Sequence, residues 1–143
     1  DKKIVGINEL DVIAYNAESR DEIIVPLIDA RKQRVYYSTY KYDNDKLVRI
    51  SDYKDGDLDI VLEELKDEKC IFTGDGTIAY GDYIKEKTNN QGIVFSKTAS
   101  IPRAAVAARL ALEKEADNLY VLEPFYVNKS QAEREKEKRD KIK

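Results

Sequence analysis

The strongest constraint in this sequence is a change of apolar period partway along it. Residues 23–53 read as strands in succession: the β-branched run Ile23-Ile24-Val25-Pro26-Leu27-Ile28, then Arg34 to Tyr42, then Lys46 to Tyr53. Asp43-Asn44-Asp45 separates the last two with residues that tolerate left-handed backbone and bond their own main chain. From Leu58 the period becomes helical. Leu58, Val61, Leu62 and Leu65 share one face, Cys70-Ile71-Phe72-Thr73 is a short buried strand, and Gly74-Asp75-Gly76 leads into a helix over 77–87. Ile93-Val94-Phe95 is a further strand. Pro102 stands where the first turn of a helix tolerates it, and the alanine-rich run from Ala104 has the propensity and small side chains to pack closely on a sheet as far as about Ala116. Upstream, Lys2-Lys3-Ile4-Val5-Gly6-Ile7 reads as a strand. Leu10, Ile13, Ala14 and Ala17 follow as one face of a helix that Asn8 can cap. A meander followed by alternating helices and strands, βββαβαβα, predicts an α/β mixed sheet of about five strands with flanking helices.

That order resembles the ribonuclease-H-like fold of the actin-like ATPase superfamily. The 143 residues suffice for one domain with a real core, and 42% hydrophobic with 37% charged residues is too apolar for disorder. The net charge of -3, with signs interspersed, provides no basic stripe to track a phosphate backbone, so any RNA is expected to be met through a partner. A single cysteine and the absence of a long apolar run point to the cytoplasm and away from a membrane. The sequence opens at Asp1 within strand-like residues, which predicts a fragment. Residues 1–21 are then a strand and helix left from a junction, 22–127 the ribonuclease-H-like subdomain, and 128–143 a charged tail. The tail carries a capping-box pattern at Ser130-Gln131-Ala132-Glu133, but only Ile142 is apolar beyond Arg134, so it cannot bury itself.

With no histidine in the chain, the commonest general base and metal ligand are both missing, and a Ser-His or Cys-His nucleophile is excluded within it. Cys70, in a buried strand with no activating neighbour in sequence, reads as a core thiol. Asp55-Gly56-Asp57-Leu58-Asp59 fails as a calcium loop: with Gly56 at position 6, positions 1, 3 and 12 fall on Ser51, Tyr53 and Leu62. These acids suit a turn and a helix N-terminus instead. Gly74-Asp75-Gly76-Thr77 joins a strand to a helix, where backbone N–H groups could cradle a phosphate or adenosine, although a tight turn explains two glycines equally. Asp29-Ala30-Arg31 lies at the first strand turn without the glycines of a phosphate loop. A metal-dependent nuclease of this fold would need carboxylates such as Asp29, Glu63 or Glu64, and Asp75 around two ions. Tyr36, Tyr37, Tyr40 and Tyr42 suit sheet packing on both faces better than base stacking, since no basic face adjoins them.

Four segments together carry a family resemblance: Ile4-Val5-Gly6-Ile7-Asn8-Glu9-Leu10; Ile28-Asp29-Ala30-Arg31 followed by Val35-Tyr36; Thr73-Gly74-Asp75-Gly76; and Pro124-Phe125-Tyr126-Val127 followed by Lys129-Ser130. They resemble, in the same order, the C-terminal half of the TsaB (YeaZ) family of tRNA threonylcarbamoyladenosine biosynthesis proteins, relatives of the glycoprotease-like M22 group. The resemblance implies a non-catalytic partner of a TsaD-type catalytic subunit and a TsaE-type ATPase, acting on adenosine 37 of tRNA. It implies no cofactor of its own, with nucleotide only in the full complex, and leaves a homodimer open. It makes Asp29, Arg31, Gly74, Asp75 and Gly76 motif or nucleotide-side positions, not catalysts. The family's N-terminal aspartate-threonine strand and glycine-rich segment are absent from this sequence, so weak docking to TsaD is expected of it. The alternative is an independent enzyme of the same fold, a nuclease or nucleotide-dependent transferase.

Overall fold

The computed structural model describes residues 2–18, 21–89, 92–94 and 99–127. Its elements run α1 (Glu9–Ala14), β1 (Ile23–Asp29), β2 (Arg34–Tyr37), β3 (Tyr40–Asp43), β4 (Lys46–Arg49), β5 (Lys54–Asp57), α2 (Leu58–Glu64), β6 (Cys70–Thr73), α3 (Asp75–Lys87), β7 (Ile93–Val94) and α4 (Ala104–Leu112). β1 is central. It pairs antiparallel with β2 and β3 on one edge and parallel with β6 on the other, and β6 continues in parallel to β7.

The seven strands are fewer in effect than in number. Leu27 faces Tyr37 and Ile24 faces Tyr40, so β2 and β3 keep one register against β1 and form a single strand interrupted at Ser38-Thr39. On the next strand, β4 pairs with β3 and β5 with β2, but the two registers differ by two residues. Ser51, Asp52 and Tyr53 therefore bulge out between them. The expected strand Lys46 to Tyr53 thus ends at Arg49 and resumes at Lys54. Asp55 and Gly56, expected in a turn, lie in β5, while Asp57 does cap α2 by accepting from Asp59 N at 3.1 Å.

Side chains alternate across the sheet and bury two cores. Val25, Leu27, Val35, Tyr37 and Phe72 pack on one face with Leu58, Val61 and Ile84 from α2 and α3. Ile24, Tyr40 and Ile71 pack on the other with Ala14 and Ala17 at the end of α1. Cys70 joins the first core, and burial pushes its thiol up to about 12.

Three expectations shift. Residues 2–8 form no strand: Ile4 O accepts from Asp117 N at 2.9 Å and Gly6 N donates to Asp117 Oδ2 at 2.7 Å, so this segment is held by the chain after α4. Asn8 does cap α1, accepting from Leu10 N at 2.9 Å. α4 stops at Leu112 instead of Ala116, and none of its residues is buried, so it does not close on the sheet as its alanines suggested. Phe95 of the expected last strand and the charged tail 128–143, with Lys129 and Ser130, lie outside the described residues. Among the described residues no helix is long and apolar enough to cross a membrane.

α3 meets β1 at very short range. Gly74 stands at φ +98° before the first turn, and a Cβ there would lie 2.2 Å from Leu27 O. A Cβ on Gly76 would lie 2.8 Å from Leu27 Cβ. Gly74→Ala combines left-handed strain with a backbone clash, so it is expected to cost at least ~3 kcal/mol, read as a lowered urea midpoint at unchanged slope.

Candidate functional site

Where β1 ends, the chain turns through three consecutive residues in left-handed backbone, Arg31, Lys32 and Gln33, with φ of 64°, 54° and 57°. Each costs roughly 1–2 kcal/mol in isolation, so the surroundings must hold them. Asp29 does so. Its Oδ1 accepts from Arg31 N at 2.8 Å and from the Tyr80 hydroxyl at 2.7 Å, and its own N–H donates to Asp75 Oδ1 at 2.9 Å. Gln33 N donates to the Tyr80 oxygen at 3.3 Å, and Gln33 O accepts from Leu58 N at 2.8 Å at the start of α2. The bond to Asp29 holds the Tyr80 hydroxyl above its ordinary value. Behind the corner, Thr77 Oγ1 donates to Gly74 O at 2.6 Å and meets the buried Ser100 Oγ at 2.9 Å.

The structure therefore brings Asp29, Arg31, Gly74, Asp75 and Gly76 to one corner, where β1 and β6 end and α3 begins. The carboxylates there are engaged by main-chain N–H groups and by Tyr80. Glu63 and Glu64 are elsewhere: Glu63 pairs with Lys66, and Glu64 accepts from the Tyr37 hydroxyl at 3.2 Å. Among the described residues no group of three or more His, Cys, Asp or Glu side chains is placed to hold a metal ion.

A second constellation has no signature in the sequence. The bulge at 51–53 turns Tyr53 toward α1, where its hydroxyl lies 2.8 and 2.9 Å from the two oxygens of Asp11. Tyr40, from the sheet, donates to Asp11 Oδ1 at 2.7 Å. Burial and then the Asp11 carboxylate hold both tyrosine hydroxyls above their ordinary range. The Arg49 guanidinium lies 4.1 Å from the centre of the Tyr53 ring, and Phe125 packs on that ring at 5.5 Å and 60°. Phe125, Ile7 and Asn8 line two cavities. One, of about 550 Å³, also reaches Tyr53, Lys114 and Asp117, and the other, of about 440 Å³, reaches Ile28, Tyr36 and Tyr126. Asp11 and Tyr53 are 42 residues apart in sequence, and only the bulge makes them neighbours.

No protein-family model matches the chain. It is 30% identical over 135 residues, 93% of its length, to the tRNA threonylcarbamoyladenosine biosynthesis protein TsaB of Bacillus subtilis. The resemblance to TsaB proteins read from the four segments thus holds across nearly the whole chain. Its fold is similar, with a TM-score of 0.62 at 18% identity, to a crystal structure of an uncharacterized protein with similarity to peptidase YEAZ from Pseudomonas aeruginosa, over 89% of this chain. The chain spans 59% of the Bacillus relative and 60% of the Pseudomonas one.

Two measurements test this geometry. Asp11→Ala orphans two tyrosine hydroxyls and is expected to cost about 2 kcal/mol or more in chemical unfolding, whereas Tyr53→Phe should cost about 1 kcal/mol. At high pH Tyr37 adds to these two. Burial, with help from Glu64, pushes Tyr37 up to about 12. The protonated hydroxyl is favoured by folding, so its contribution is complete below the ordinary tyrosine value and is lost as pH rises from about 10 towards 12. The urea midpoint should fall across that window, and fall less in Tyr37→Phe.

Proposed function

We propose that this protein takes part in tRNA threonylcarbamoyladenosine biosynthesis as a non-catalytic scaffold for a TsaD-type transferase, with a TsaE-type ATPase in the same assembly and tRNA met indirectly. The observation that carries this reading is the 30% identity to TsaB over 93% of the chain. The geometry supports the scaffold role: Asp29 Oδ1 accepts from the strained turn and from Tyr80, and Asp75 Oδ1 accepts from Asp29 N, which is the work of architecture. On this reading Arg31, Gly74 and Gly76 are motif positions that shape the corner, and nucleotide contact belongs to the full complex. No cofactor is assigned to this chain.

The ribonuclease-H-like class belongs to the same proposal. It is supported by the strand order, in which the merged β4–β5 and β2–β3 strands lie beside β1, followed by β6 and β7, with the second strand antiparallel to its neighbours. Residues 22–127 would then be the subdomain proper, 1–21 a junction with further structure, 128–143 a tail, and the cytoplasm the compartment. A nuclease on this fold is disfavoured because Glu63 and Glu64 pair away from Asp29 and Asp75.

Removal of the gene should lower N6-threonylcarbamoyladenosine in total tRNA, measured by mass spectrometry of nucleosides; an unchanged level would sink the proposal. Re-expression of the protein with Asp29→Asn and Asp75→Asn, which keep an acceptor oxygen at each site, should restore the modification. A catalytic role for either carboxylate would instead cost ~10²-fold or more in rate.

A further inference from the structure

α4 does not close on the sheet, and the space left beside its C-terminal end is lined by charges of both signs. This cavity, of about 240 Å³, has Asp11 and Tyr15 on one side, Tyr40 and Arg49 of the sheet on a second, and Leu110, Glu113 and Lys114 on a third. Leu47 adds to its apolar wall. Two carboxylates and two cations thus share one small cavity, yet no ion pair joins Asp11 or Glu113 to Arg49 or Lys114. Each of the four has bonding capacity left. The Tyr40 and Tyr53 hydroxyls bring one proton each to Asp11, whose carboxylate offers about four acceptor sites. Arg49 donates from Nη1 to Ser51 O at 3.0 Å, and its ion-pair partner, Asp52, stands 3.9 Å away with its side chain 98% exposed. Lys114 Nζ reaches only Gly6 O, at 3.5 Å, and no described residue bonds the Glu113 carboxylate.

We infer that this cavity binds a free α-amino acid with a short uncharged side chain. Charge selects the class. Two positive and two negative groups suit a ligand that carries one carboxylate and one ammonium, since a singly charged ligand leaves half of them uncompensated. The ammonium belongs at Asp11 and Glu113, where the negative C-terminal end of α4 adds to the attraction. The carboxylate belongs at Arg49 and Lys114, which give it charge-assisted hydrogen bonds. Size selects the side chain. The cavity is smaller than the ~300–1,000 Å³ of pockets for drug-sized ligands. At about 30 Å³ for each water it holds roughly eight, which matches the non-hydrogen atoms of valine or threonine, and Leu47 and Leu110 face the side chain. The inference stands on this cavity alone and is independent of the assembly proposed above.

Isothermal titration calorimetry of L-valine and of L-threonine into the full chain should give a Kd of ~0.1–1 mM, the range reached by ligands this small. Isovalerate and isobutylamine, which each keep one of the two charges of valine, should bind at least ~10-fold more weakly. Glu113→Gln and Lys114→Gln, both at exposed positions, should each weaken L-valine binding by ~10-fold or more with an unchanged circular-dichroism melt. Lys66→Gln, outside the cavity, should bind as the parent does. Absence of binding at ~10 mM, tenfold above the weakest affinity expected, equal binding of either singly charged analogue, or parental affinity in Glu113→Gln and Lys114→Gln would each overturn the inference.

Discussion

Pro26 sits in the middle of the central strand, paired on one edge with Thr73 of β6. Proline has no N–H to give, and strands that carry one are usually edges or are bulged nearby. The register on the other edge puts Pro26 opposite Ser38, and there β2 and β3 part for two residues. Ser38 and Thr39 are buried, so their polar groups need partners. Ser51 supplies them: its carbonyl accepts from Ser38 Oγ at 2.9 Å, and its hydroxyl oxygen accepts from Thr39 N at 3.0 Å. Seating Ser51 there coincides with the bulge at 51–53, which sends Tyr53 to Asp11. One missing donor in the core thus propagates two strands outward, to a hydrogen-bonded contact with a helix on the other face.

The other end of β1 is governed by closeness. Gly74 and Gly76 let the start of α3 touch Leu27, so Asp75 reaches the main chain of Asp29 and Tyr80 reaches its carboxylate. These bonds hold the left-handed run at 31–33. The glycines here serve packing first. They do so at the end of two parallel strands, the place where an open α/β sheet presents its crevice.

Local chemistry made the buried strands and the helix starts legible. Ile23 to Ile28 is rich in β-branched residues, Cys70-Ile71-Phe72 is an apolar run, and Asn8 and Asp57 cap by an interaction confined to two residues. The break at Ser38-Thr39 was not legible, because it arises from a proline twelve residues earlier in a different strand. Lys2 to Ile7 has strand composition yet lies against Asp117; composition says that a segment can extend, not which edge it will find. Asp29 and Asp75 were named as motif positions without their contact, and Asp11, Tyr40 and Tyr53 needed the bulge to be known.

Two-fifths of each relative lies outside the match, and this bears on how the apolar surface should be weighed. Leu112 at the end of α4, Leu119, Tyr120 and Phe125 are exposed large apolar side chains outside the two buried cores of this sheet. Singly exposed apolar residues are ordinary, but a contiguous run of them at one end of a domain marks a contact. The sheet and its corner are satisfied internally, with no buried side-chain nitrogen or oxygen left without a partner among the described residues. What the described part of the molecule lacks is cover for α4. The molecule thus divides into a corner whose polar groups are satisfied internally and a helix that is not covered.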